Sequence, residues 1–139
     1  MFRCVLHAND GSNPAFRALA LAVKLAKQNG AELHLVCVEE IPPMPEYIEE
    51  IREARGTAAR RFHAVVERAR RSAEQSGLDL QVHLLSGHPV RIIVDLVPQI
   101  GADVLVIGAT GHSALYERMI GSRADRIVQM AACPVLVVK

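Results

Sequence analysis

Short apolar runs rich in Val, Leu and Ile alternate along the chain with longer stretches whose apolar residues recur every three or four positions. The runs are Phe2–Ala8, Glu32–Val38, Leu80–Leu85, Asp103–Gly108 and Pro134–Val138. Two of them contain an unbroken apolar core, Val104–Ile107 and Val135–Val138, which predicts strands covered on both faces by helices. The first helical stretch takes Asn13 as N-cap and Pro14 as its first residue, places Phe16, Leu19, Ala20, Val23 and Ala26 on one face, and closes at Gly30. The third opens at Pro89, carries Ile93, Leu96, Val97 and Ile100 on one stripe, and stops at Gly101, with Pro98 weakening its last turn. The fourth begins near Gly121 and Ser122 and packs through Ala124, Ile127, Val128 and Ala131 before Pro134.

The second helical stretch, about Glu46 to Ser76, has a different character. A stiff extended approach, Ile41-Pro42-Pro43-Met44-Pro45, leads into it. It carries seven of the sixteen basic residues: Arg52, Arg55, Arg60, Arg61, Arg68, Arg70 and Arg71. Glu49, Glu50, Glu53, Glu67 and Glu74 are interspersed, several at helical spacing from an Arg, so the stretch reads as a solvated face laced with ion pairs. Gly56 is expected to kink or interrupt it.

Strands and helices thus strictly alternate, which predicts a single α/β domain over residues 1–139, with an open parallel sheet and helices on both faces. In such sheets ligands bind at the carboxyl ends of the strands, where the winding direction reverses. After the first strand comes Asn9-Asp10-Gly11-Ser12. After the fourth comes Gly108-Ala109-Thr110-Gly111, then nine residues, then Gly121-Ser122 at a helix start. Glycines let backbone N–H groups close on an anion, and a helix N-terminus adds unpaired N–H groups and a positive dipole end. Any one glycine is equally a turn or a cap; the set together reads as a phosphate cradle.

Composition narrows the classes. Half the residues are hydrophobic, 22% are charged and the net charge is +1, which argues against disorder and against a generic nucleic-acid binder. No apolar run approaches the roughly 18 residues a membrane span needs. The opening residues lack a signal-peptide layout, and Cys4, Cys37 and Cys133 are odd in number and far apart, so reduced thiols and a cytoplasmic location are expected.

The first run with Asn9-Asp10-Gly11-Ser12, the segment Gly108-x-x-Gly111-x9-Gly121-Ser122, and the ending Cys133-Pro134-Val135-Leu136-Val137-Val138 resemble the universal stress protein family, and the glycine segment resembles its ATP-binding subclass. The resemblance covers essentially the whole chain. It implies a five-stranded Rossmann-like sheet of the adenine nucleotide alpha hydrolase-like type, order 3-2-1-4-5, and a homodimer formed through the last strand, Pro134–Val138. It also implies ATP as the ligand. Ala8, Asn9 and Asp10 would border adenine and ribose, Cys37 would lie beside the base, and Gly87 and Pro89 would lie near the ribose-phosphate. Ile107, Gly108, Thr110, Gly111, Gly121, Ser122 and Arg123 would make the ribose and phosphate contacts. Asn9 stands where the family has an apolar residue or Thr, so the adenine edge would be read differently. Arg123 stands where a small or β-branched residue is usual; its guanidinium could pair with a phosphate, point away, or obstruct the site.

Catalysis has thinner support. There is no G-x-x-x-x-G-K-[ST] segment. Asp10 could hold Mg2+ on the phosphates or simply form a turn. His88 and His112 flank the expected phosphate region and could donate to it or serve as loop residues. His7, His34 and His83 lie in strands, too scattered for a metal motif, and read as structural, so no protein metal site is assigned. A response-regulator receiver would need an acidic residue after the third strand, and Leu85-Ser86-Gly87 supplies none. The resemblance therefore implies an ATP-binding, nucleotide-responsive regulatory or stress-resistance module with little or no catalysis. The alternative is a dimeric interaction protein of the same fold that binds no nucleotide and works through its Arg-rich helix. Under either reading a further protein partner stays open.

Overall fold

The computed structural model describes residues 1–41, 48–110 and 120–139, and of 48–59 and 61 the backbone alone. Five strands, β1 (Cys4–Ala8), β2 (Glu32–Glu40), β3 (Leu80–Gly87), β4 (Val104–Gly108) and β5 (Val135–Val138), alternate with four helices. These are α1 (Asn13–Asn29), α2 (Ile48–Gln75), α3 (Pro89–Ile100) and α4 (Ser122–Met130). The strands form one parallel sheet in the order β3-β2-β1-β4-β5, as the resemblance implied.

Because side chains alternate across a strand, each central strand feeds two cores. On one face Val5, Leu33, Leu35, Cys37, Val104 and Val106 meet α1 and α2 through Leu19, Ala22, Val23, Phe62, Val65 and Ala69. On the other, Cys4, Leu6, Val36, Leu105 and Ile107 meet α3 and α4 through Val90, Ile93, Leu96, Val97, Ala124 and Ile127. Phe62 is 1% exposed, and burial of a side chain that size stabilises by roughly 1.5–3 kcal/mol. Among the described residues no helix is long and apolar enough to cross a membrane.

The helix ends show where local chemistry governs. Ser12, not Asn13, caps α1: its hydroxyl accepts from the Ala15 N–H at 3.3 Å, which sets Pro14 in the first turn one position later than expected. Gly30 and Gly101 close α1 and α3 in the left-handed conformation, φ 61° and 68°. The α1 face is rotated slightly from the expected one: Ala15, Ala18 and Ala22 are buried and Ala20 is exposed. Val128 of α4 is likewise exposed, because only Ala124 and Ile127 of that helix are buried.

The α2 backbone is helical through Gly56 without interruption, and the approach Pro42–Pro45 lies outside the described residues. Two of its arginines engage the fold itself. The Arg68 guanidinium sits 3.8 Å from the centroid of the Phe16 ring, and Arg70 donates to the Leu80 carbonyl at 3.3 Å. The β5 run meets both cores, Val138 packing on the α1–α2 side and Val135 and Val137 on the α3–α4 side, but as the edge strand it leaves Leu136 exposed.

Two contacts fix β4. At its start, the Asp103 carboxylate accepts from the N–H groups of Arg3 (2.8 Å) and Cys4 (3.2 Å), aligning β1 with β4. At its end, Gly108 passes so close to α1 that an added Cβ would lie 2.9 Å from the Pro14 carbonyl carbon and 3.0 Å from the Ala15 nitrogen. Both obstacles are backbone and cannot rotate away. Gly108→Ala should therefore destabilise the protein by roughly 1–3 kcal/mol, read as a lower denaturation midpoint with an unchanged m-value.

Candidate functional site

The carboxyl ends of β1 and β4 lie side by side where the sheet order reverses, and a crevice of about 440 Å³ opens there. This volume is within the usual range for a small-molecule site. Its floor is apolar, made by Ala8, Val36, Val38, Ile93, Ile107 and Ile127. Its rim is polar backbone with few charges: Asn9 and Asp10 on one side, Gly108, Ala109 and Thr110 on another, and Gly121, Ser122 and Arg123 at the start of α4.

Of the residues expected at the site, Ala8, Asn9, Asp10, Pro89, Ile107, Gly108, Thr110, Gly121, Ser122 and Arg123 line this crevice. Gly111 and His112 lie outside the described residues. Cys37 does not line it: the side chain is fully buried in the α1–α2 core, on the other face of the sheet. Its neighbours Val36 and Val38 line the crevice instead, because adjacent strand residues point to opposite faces. Gly87 also falls outside the lining. With φ 147°, and with the Ile92 side chain 3.2 Å from where a Cβ would be, it serves the turn into α3. His88 is the residue before that helix and makes no side-chain capping bond.

The loop after β1 is internally satisfied. His7 is fully buried; its Nδ1–H donates to the Val106 carbonyl at 2.9 Å, which leaves Nε2 to accept from the Asn9 amide at 3.2 Å. The Asn9 Oδ1 in turn accepts from the Gly11 N–H at 2.7 Å. Asn9 therefore borders the crevice with both ends of its amide engaged within the protein, which accounts for a polar residue at this position. Asp10 Oδ1 accepts from the Ser12 N–H at 3.0 Å, so the carboxylate shapes the turn while it lines the crevice.

Across the crevice, Gly121 N–H donates to the Ala109 carbonyl at 2.7 Å and Ala109 N–H donates to the Val138 carbonyl at 2.8 Å, locking the β4 loop between α4 and β5. Gly121 is the N-cap of α4 with ordinary extended angles (φ −64°, ψ 155°), and as a glycine it brings no side chain to cap the helix. The first-turn N–H groups thus have no partner inside the helix and face the crevice end of the sheet. Ser122 is the first helical residue and not the cap. The Arg123 guanidinium donates to Glu40 Oε2 at 2.6 Å, joining α4 to the tip of β2 across the mouth. Both residues line the crevice. Glu40, Val36, Val38 and Ile93 carry no motif; only the period-two pattern of the second strand and the stripe of the third helix point to them.

The chain matches the universal stress protein family model over residues 1–139. It is 34% identical to a universal stress protein of Thermus aquaticus over 139 residues, the full length of both chains. Its fold superposes on universal stress protein UspA from Lactobacillus plantarum with a TM-score of 0.85 at 25% identity, covering 99% of this chain and 97% of the other. It also superposes on the universal stress protein from Archaeoglobus fulgidus in complex with dAMP, with a TM-score of 0.66 at 26% identity, covering 100% and 98%. The chain belongs to the universal stress protein family.

Burial pulls His7 down to about 4 against the weaker upward pull of the Val106 carbonyl and the Asp10 charge. The unfolded chain would take up this proton near pH 6.5, so the neutral buried ring contributes fully above that pH and loses its contribution as pH falls toward 4. The loss amounts to about 3 kcal/mol. Urea denaturation from pH 7 to pH 4 should show this decline, and His7→Gln should flatten it.

Proposed function

We propose that this protein is a nucleotide-responsive regulatory module that binds ATP, with Mg2+ on its phosphates, in the crevice at the β1–β4 ends. The observation that carries the reading is the pairing of an apolar floor with a rim of backbone N–H groups at the start of α4. Such a rim suits an anion that glycine and helix-dipole contacts can approach closely. The likeness to a relative solved with dAMP supports an adenine nucleotide as the occupant. Adenine would rest on Ala8, Val36, Val38 and Ile107, with Asp10 beside the ribose or the metal. Phosphates would lie over Gly108, Gly121 and Ser122, and the motif adds Gly111 to their contacts. Arg123 would turn from Glu40 toward a phosphate, since its single bond to an exposed carboxylate is weak and a bidentate phosphate contact is stronger. Little or no hydrolysis is proposed, because Asp10 and Glu40 are the carboxylates among the described lining residues, and Asp10 is engaged in its turn.

Calorimetric titration with Mg-ATP should show saturable binding. Gly121→Asp should retain the fold, since Asp is a favoured N-cap at these angles, and should weaken ATP binding at least tenfold by setting a carboxylate against the phosphates. Glu40→Gln should strengthen binding several-fold by releasing Arg123. Absence of heat and of any thermal shift at millimolar Mg-ATP overturns the reading.

The protein is also proposed to dimerise through β5. Among the described residues that strand has no neighbour on its outer edge, and it carries the exposed Leu136, which a second copy related by a two-fold axis would cover. Sedimentation equilibrium at micromolar concentration should give twice the 15.2 kDa chain mass, and Leu136→Lys should shift it toward one.

A further inference from the structure

At the opposite end of the sheet from the crevice, three side chains of different chemistry converge. Cys4 and Glu32 open β1 and β2 and are direct partners in the parallel register, and His34 follows Glu32 two residues along on the same face. The Cys4 sulfur, a Glu32 carboxylate oxygen and a His34 ring nitrogen all lie within 4.8 Å of one another. Cys4 and His34 are buried, whereas the Glu32 side chain is 62% exposed. His34 Nε2 lies 3.2 Å from Glu32 Oε2, and His34 Nδ1 lies 2.9 Å from Nε2 of His83 on β3. The stretch from His34 to His83 spans 49 residues, and the β2–β3 register alone brings the rings together.

We propose that Cys4, Glu32 and His34 bind a thiophilic divalent cation of the zinc class, with His83 as the residue that positions His34. One thiolate, one carboxylate and one imidazole are a donor set suited to this cation, and their two negative charges balance its two positive ones. Tetrahedral coordination needs donor atoms about 3.3–3.6 Å apart, given Zn–S and Zn–N lengths of about 2.3 and 2.0 Å. The 3.2 Å nitrogen–oxygen pair is already near that spacing, and the exposed Glu32 chain is free to adjust.

The proton arrangement accommodates both states. Without the cation, His83 Nε2–H donates to His34 Nδ1, and His34 Nε2–H donates to Glu32. With it, His34 Nδ1–H donates to His83 Nε2, and His34 Nε2 turns its lone pair to the metal. Each ring keeps one proton throughout. Burial, then the charges of Glu32 and Asp103, push the Cys4 thiol up, which favours the protonated sulfur. Binding forms the metal–sulfur bond and releases that one thiol proton to solvent.

The test uses the whole chain, reduced and free of nucleotide, with Zn2+ alone and with Co2+ alone as probes. Zn2+ should bind at one per chain in competition with a chromophoric chelator, releasing one proton as read from heats in buffers of different ionisation enthalpy. Co2+ should show a thiolate-to-metal charge-transfer band. Cys4→Ser should abolish the band, and Cys133→Ser should leave it unchanged. Glu32→Gln alters an exposed side chain, so the protein should fold normally while its zinc affinity drops at least tenfold. His83→Gln should keep the stoichiometry and weaken affinity 10–100-fold. A cobalt complex without a thiolate band, a band that survives Cys4→Ser or vanishes with Cys133→Ser, or full zinc affinity in Glu32→Gln overturns the proposal. ATP binding plays no part in any of these readouts.

Discussion

Cys4 to His7 of β1 are each at most 5% exposed, because β2 and β4 pair with both of the strand's edges and helices cover both of its faces. A strand confined in this way cannot leave a polar group unanswered, since water does not reach it. His7 is the polar residue in this run, and its two ring nitrogens are answered by Val106 and Asn9. That requirement extends outward: Asn9, once oriented, fixes Gly11, and the turn then delivers Ser12 to cap α1. The geometry of the crevice loop is thus dictated from inside the core, ahead of any ligand.

The alternation of runs and helical stripes was enough to foresee nine elements, and the resemblance supplied their order. What the pattern could not specify were choices decided by single-residue phase. Ser12 and Asn13 are both good caps, and only the approach of the chain from β1 decides between them. Cys37 and Val38 are adjacent and equally apolar, and strand phase alone determines which of them meets the crevice. The unbroken run at β5 reads like that at β4, yet its place at the sheet edge leaves Leu136 uncovered. His34 and His83 appear scattered along the chain because parallel register joins residues that share no local spacing. Glu40 carries no local signal for the same reason: its partner Arg123 is 83 positions away.

The two ends of the sheet have different chemical temperaments. The carboxyl ends offer backbone donors and small residues, which favour a diffuse polyanion. The amino ends offer thiol, carboxylate and imidazole donors grouped around a point, which favour a compact cation. A net charge of +1 is consistent with this division, because neither end draws on a surplus of lysine or arginine. The sequence's nine glycines and its few histidines matter through the strand termini at which they fall.

The Arg123–Glu40 pair has a kinetic side. Both side chains are more than half exposed, so solvent screens their attraction and the pair contributes less than about 1 kcal/mol. Exposed side chains change rotamer in picoseconds to nanoseconds. At the mouth of the crevice this pair can therefore open and re-form by side-chain rotation alone, with the sheet and α4 held in place.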